Sequence, residues 1–286
     1  MLDLITLEKE LGPGPMRFAP KEERSFQAQM ESLSPTEKQC FHNLKEKWNK
    51  HIEENKEKEK TPTHSYSDEM ILRFARCSPG RNKFEETASW KVMKKFDPRF
   101  LTLTAEEIEK QLLSKTLFPV PGLKTNEGHD IFYMYPARYF PKETTTEEII
   151  DNLGYCMNTM CEMEKASSEG IGFMAYMNDW KMSNFSIDYC YQFMMMLQGR
   201  VPVRVRMFLI VNPPSWFGMI WKIMKPMLSP DFRKKVHVIK ESKIGDFLME
   251  GYETYLPDET ATGKADTESM VEDFVTYRKA AEKQTM

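Results

Sequence analysis

Arg204 and Arg206 stand two residues apart where a long apolar run begins, and a second basic group, Arg233-Lys234-Lys235, follows downstream. Side chains two apart on a strand share a face. Both guanidiniums are therefore expected on one side, with Val203, Val205 and Met207 on the other. The chemistry open to such a face is Coulombic attraction to anionic lipid, worth about 1 kcal/mol per basic residue near a membrane surface. Catalytic apparatus is not visible beside it. The sequence has no Gly-rich phosphate loop, no G-x-S-x-G elbow and no H-E-x-x-H, and His42, His51, His64, His129 and His237 are scattered singly. Cys40, Cys77, Cys156, Cys161 and Cys190 are an odd number without a metal-type or redox CxxC spacing. That pattern fits free thiols in a reducing compartment. We expect no enzyme, no metal site, no cofactor and no structural disulfide.

The stretch between these basic groups is the most informative. Trp216, Phe217, Met219, Ile220, Trp221, Ile223, Met224 and Met227 make residues 215–227 apolar nearly all round, with Lys222 and Lys225 the only charges and Pro214 and Pro226 near the ends. Two structures suit this composition. One is a central, buried helix. The other is a mobile lid, apolar inward to a ligand and outward to a bilayer.

The elements that must position these residues follow from periodicity. Ser34-Pro35-Thr36-Glu37 reads as a helix N-cap, with Phe41, Leu44 and Trp48 at helical spacing behind it. Further helices are expected from Ser67, over 84–96 and over 104–113, so everything up to about residue 115 reads as helical. Strands are expected at 131–135, 171–177, 203–211 and 236–239, and helices at 144–165, 185–197, 215–228 and 231–235. Helices and strands thus alternate in the manner of an α/β protein. A tail helix over 269–282 follows a Thr/Gly/Asp linker, and the Pro/Gly-punctuated residues 1–30 read as a flexible, loosely attached arm.

The chain has 286 residues, 41% of them apolar, enough to fill a core unaided. Its formal charge of −3 gives no global positive field, so nucleic acid is not an expected partner. The start lacks a secretory signal, and the longest apolar runs fall far short of the roughly 20 residues that span a bilayer. A cytoplasmic monomer is expected. Twenty-two methionines and 12% aromatics suit either ordinary core filling or an adaptable apolar pocket.

The strand ending at Phe208-Leu209-Ile210-Val211-Asn212-Pro213-Pro214, the helix through Lys225-Pro226-Met227-Leu228 and the segment Arg233-Lys234-Lys235-Val236-His237 together resemble the CRAL-TRIO lipid-binding family. Ile71-Leu72-Arg73-Phe74-Ala75-Arg76, Glu127-Gly128-His129-Asp130 and residues 170–179 are similar to it as well, so the likeness spans residues 30–263. It implies an N-terminal helical subdomain (31–115) and a lipid-binding domain (116–263), followed by the tail helix (264–286). In the second domain a five-stranded mixed sheet flanked by helices encloses an apolar pocket. The resemblance places Ile150, Leu153, Met157, Phe173, Ala175, Val201, Val203, Val205 and Phe208 on the pocket wall. It makes 215–227 a gate helix carrying Trp216, Phe217, Ile220, Trp221 and Met224. It also implies a phosphoinositide cleft formed by Arg204, Arg206 and Lys235, with Arg81 standing in for a family arginine replaced here by Ser78. Val203 occupies the place of a glutamate found in phosphatidylinositol-transferring members, which favours a less polar occupant. The function implied is transfer of a hydrophobic small molecule or lipid, with transient docking on phosphoinositide-containing membrane. The alternative is a lipid sensor that acts through protein partners without transferring its ligand.

Overall fold

A computed structural model describes residues 3–21, 23–55, 65–77 and 85–285. Three short helices, α1 (Leu4–Leu11), α2 (Pro13–Met16) and α3 (Phe26–Glu31), precede the long α4 (Pro35–Asn55). At the start of α4, Ser34 Oγ accepts from Glu37 N at 3.3 Å while the Glu37 carboxylate accepts from Ser34 N at 2.9 Å. This reciprocal cap satisfies two otherwise orphaned donors. α5 (Asp68–Arg76) and α6 (Glu86–Lys95) complete the helical layer, and Ser67 caps α5 by accepting from Met70 N. The helix expected over 104–113 is regular only as α7 (Glu109–Leu113). Thr104 bonds Glu107 both ways, and residues 105–108 form turns. Ser78 and Arg81 lie outside the described residues.

Five strands follow in spatial order β1-β2-β3-β4-β5: β1 (Leu117–Lys124), β2 (Asp130–Met134), β3 (Ile171–Tyr176), β4 (Val205–Val211) and β5 (Val236–Ile239). β1 and β2 are antiparallel and the remaining pairs parallel, so the sheet is mixed. The intervening helices are α8 (Thr146–Met160), α9 (Glu164–Glu169), α10 (Ile187–Leu197), α11 (Phe217–Met224) and α12 (Pro230–Arg233). α8 has its own reciprocal cap between Thr145 and Glu148. β1 was not expected, because Pro119 and Pro121 lie inside it. Proline cannot donate to a ladder, and the strand accommodates both by lying at the sheet edge with β2 as its one partner strand.

Strand alternation divides the apolar side chains between two faces. Phe132, Phe173, Ala175, Phe208 and Ile210 face the core shared with α8, α10, α11 and the N-terminal helices. Tyr133, Met174, Leu209 and Val211 face Ile244, Leu248, Leu256, Met270 and Val271. The second face is therefore covered by the chain that follows β5, including α13 (Thr267–Thr285).

The expected loose arm packs instead on this tail. Leu7 and Ala19 share a cluster with Tyr277 and Ala281, Phe18 meets Phe274 with ring centroids 5.1 Å apart, and Arg17 pairs with Asp273 at 2.5 Å. Prolines and glycines break this segment into short helices. Its apolar residues, spaced too irregularly to reveal one long helix, still bury themselves. Among the described residues no helix is long and apolar enough to cross a membrane.

Candidate functional site

An apolar cavity lies between the sheet, α10 and α11. Its floor is Met134 of β2, Ala175 of β3, and Phe208 and Ile210 of β4. Tyr189, Cys190, Phe193 and Met194 of α10 form one wall, and Phe217, Trp221 and Met224 of α11 cover it. Trp180, Met177 and Tyr139 close one end, and Leu228, Phe232 and Val236 complete the lining. Among the described residues, no lysine, arginine, histidine, aspartate or glutamate lines it. The cavity holds about 60 Å³, well below the roughly 300–1,000 Å³ of ligand pockets. A lipid-sized occupant requires the walls to move. Met134, Met177, Met194 and Met224 suit that demand, since methionine repacks with little strain.

α11 is two-sided. Phe217, Ile220 and Met224 are buried, whereas Met219 and Ile223 are 57% and 48% exposed. It is thus neither a central helix nor an ordinary amphipathic one, because both faces are apolar. Trp216 precedes it and packs on Trp180 at 4.6 Å between ring centroids, while Trp221 stacks on Phe217 at 6.0 Å. Ile220 is buried beneath the helix outside the lining set.

Of the expected wall residues, Ala175 and Phe208 line the cavity. Phe173 lies in the core beside them, its ring stacked 5.9 Å from that of Phe208. Leu153 and Met157 of α8 are fully packed core residues. Ile150 borders a separate polar hollow with Asp97, Arg99 and Gln192. Val201 is buried, and Val203 and Val205 line a neighbouring cleft. The lining residues that sequence reasoning missed include one wall on α10, the end formed by Tyr139, Met177 and Trp180, and Leu228, Phe232 and Val236. Tyr189, Cys190, Phe193 and Met194 recur at helical spacing on one side, which marks an apolar helix face but not what that face meets. Trp180 had no such signal, since it sits in a loop.

The basic residues are crowded. Arg204 and Lys235 line one cleft of about 270 Å³ with Val203, Val205 and Asp231. Arg206 instead borders a separate hollow with Thr125, His129 and His237, so the three cations expected in one cleft are divided between two. The expected alternation fails at this point because of a bulge. Ile171 pairs with Val205 but Gly172 pairs with Met207, leaving Arg206 extra. Val203 and Val205 consequently join the cavity-side core while Met207 joins the opposite one. Arg204 is 8% exposed, its Nε donating to the Arg76 carbonyl and its Nη1 to the Ser168 carbonyl at 3.0 Å. Arg206 Nε donates to the Glu169 carbonyl, and Lys235 Nζ to the Val205 carbonyl at 2.6 Å.

Main-chain dipoles hold these charges in place. Neither Arg204 nor Lys235 has a carboxylate at ion-pair distance among the described residues. Burial, reinforced by Arg206, brings the Arg204 guanidinium down to about 10, and the same two causes lower Lys235. Gly170 permits this crowding. Its φ is +102°, and a Cβ there would lie 2.5 Å from the Arg204 carbonyl oxygen.

An uncharged cavity over a mixed sheet, covered by a helix apolar on both sides and bordered by mutually repelling cations, defines a binding protein for hydrophobic ligands. The chain belongs to the CRAL/TRIO domain family, whose model matches residues 113–260. The family binds lipids and small hydrophobic ligands. Curated relatives are the tyrosine-protein phosphatases non-receptor type 9 of Mus musculus, Homo sapiens and Rattus norvegicus. Each is 22% identical over 143 residues, which is 50% of this chain and 24% of theirs, so the chain spans about a quarter of their length. Among solved structures, the crystal structure of Sfh5 aligns with a TM-score of 0.43 at 13% identity, covering 66% of this chain and 79% of that one.

Proposed function

We propose that the protein carries a hydrophobic small molecule or lipid between membranes, docking on anionic, phosphoinositide-containing surfaces through its cationic cleft and exchanging cargo when α11 moves. The observation that carries this reading is the two-sidedness of α11. One face covers the cavity, and the other presents Met219 and Ile223 beside Lys222 and Lys225. A bilayer offers the second face an apolar medium and the lysines an anionic surface. The small cavity supports the same cycle, because a lipid-sized cargo needs its walls to move and α11 is the cover. We propose further that the protein is not an enzyme and works in the cytoplasm, visiting membranes transiently.

The docking step has a direct test. Arg204 is unsuitable for substitution, since its buried bonds to Arg76 and Ser168 hold the fold together. Arg206→Gln with Lys235→Gln removes two charges and retains donors for the carbonyls of Glu169 and Val205. At about 1 kcal/mol per charge, the double variant should sediment with phosphoinositide-containing vesicles roughly thirtyfold more weakly, with no change on phosphatidylcholine vesicles. Undiminished sedimentation on the anionic vesicles would remove the cleft from docking. Transfer of a fluorescent hydrophobe from donor to acceptor vesicles tests the function as a whole. Saturable binding without transfer would favour a lipid sensor acting on protein partners.

A further inference from the structure

Among the described residues that line the cavity, Trp180 carries a buried donor with no hydrogen-bond partner. The residue is 6% exposed, and the donor is its indole Nε1. Buried polar groups are ordinarily paired, so an orphan in a ligand cavity marks a place where a ligand atom belongs. Its position is not accidental packing of a mobile side chain. After β3, Asp179 adopts a left-handed conformation, φ +56°, and Trp180 N donates to the Met177 carbonyl at 3.3 Å. This tight turn carries the indole back beneath α11. There Trp216 at 4.6 Å, Phe185 at 6.1 Å and Phe217 at 6.5 Å fix its plane.

The side chains of Asn184 and Ser186, which also line the cavity, are already engaged. Asn184 Nδ2 donates to the Ala137 and Tyr139 carbonyls at 3.1 and 2.9 Å, and its Oδ1 accepts from Lys181 N at 3.0 Å. Ser186 Oγ accepts from Tyr189 N at 3.2 Å. With no charged side chain in the lining, a carboxylate or phosphate entering here would be left unpaired, which is prohibitively costly in an apolar site.

We infer that Trp180 is the residue that reads the cargo's polar atom: its indole N–H donates to a carbonyl, ether or hydroxyl oxygen of an otherwise apolar, uncharged molecule. The inference rests on the carrier reading and adds the chemical class of the cargo. One buried N–H selects a ligand carrying an acceptor over the same skeleton without one, because only the former satisfies the donor.

The test uses matched probes, octadecan-2-one and octadecane, loaded from phosphatidylcholine vesicles onto the full chain and quantified by native mass spectrometry. Trp180→Phe keeps an aromatic ring against Trp216 and removes the donor. Relative to wild type, the variant should lower the ketone-to-alkane loading ratio about three- to tenfold. Comparing the two proteins cancels the probes' different partition into vesicles, and matching melting temperatures establish that both are folded. An unchanged ratio overturns the inference, since the N–H would then be satisfied by the face of Trp216, or the ketone held by Tyr189. Tyr189→Phe separates these two cases. Parallel loss of both probes also overturns it, by reducing Trp180 to a space-filling role. Failure of wild type to load either probe would overturn the carrier reading as well, whereas loading of both with a ratio that Trp180→Phe leaves unchanged would overturn only this inference.

Discussion

Arg278→Ala is expected to destabilise the protein by about 3 kcal/mol, at the lower end of what breaking a buried ion pair costs. Arg278 of α13 has a side chain only 11% exposed and binds Glu162 at 2.7 Å, Glu282 at 3.5 Å and the Tyr155 hydroxyl at 3.0 Å. Burial works against its charge, but Glu162 and Tyr155 outweigh that cost and hold the guanidinium above its usual range. Removing it strands the Glu282 carboxylate, which is itself 14% exposed and also accepts from the Tyr155 hydroxyl and Ala105 N. Glu162 is 41% exposed and can rehydrate, hence the lower figure. Urea unfolding measures the change. Because the penalty lies mainly in the abandoned carboxylate, Arg278→Leu with Glu282→Leu should recover part of it. A loss below about 1 kcal/mol in the single variant would show that the network contributes no more than an exposed pair does.

This network also explains why the chain termini were hard to read. The tail helix was legible from its periodicity, but its docking was not. Met270 and Val271 complete the second face of the sheet, Phe274 receives Phe18, and Arg278 reaches α8. Such contacts join residues more than a hundred positions apart, and no local pattern announces them. The parallel strands β3, β4 and β5 were legible because their apolar, β-branched runs are long relative to any turn signal. β1 was hidden by its prolines, and the bulge at Arg206 by the regular alternation Val-Arg-Val-Arg that suggests an unbroken strand. Of the site, the cover was readable and the walls were not. The composition of α11 is unusual in itself, whereas Ile150, Leu153 and Met157 are as apolar as Phe193 and Met194, and only tertiary packing decides which set meets the cavity.

The outward face of α11 offers the sharpest separation of lid from core. Met219→Glu with Ile223→Glu should slow transfer between vesicles at least thirtyfold and leave the melting temperature within a degree or so of wild type. Each side chain is about half exposed, so placing both in a bilayer removes from water roughly half the area of two large apolar residues. At about 25 cal/mol per Å² this amounts to about 2 kcal/mol, or a factor of about thirty. Added carboxylates facing an anionic surface enlarge the effect. Stability should hold because neither side chain belongs to the buried clusters, and surface changes away from such features usually lie within about 0.5 kcal/mol.

The inner tryptophans are a less clean probe. Truncating Trp216 and Trp221 removes their contacts with Trp180 and Phe217 and so lowers stability whether or not the helix is a lid. The outer pair separates the two roles because it lies outside the buried clusters. Stopped-flow transfer of a fluorescent hydrophobe and thermal melting, measured on one preparation, decide the matter. Normal transfer by the doubly charged variant would mean that α11 never enters the membrane, and cargo would have to leave by another wall of the cavity.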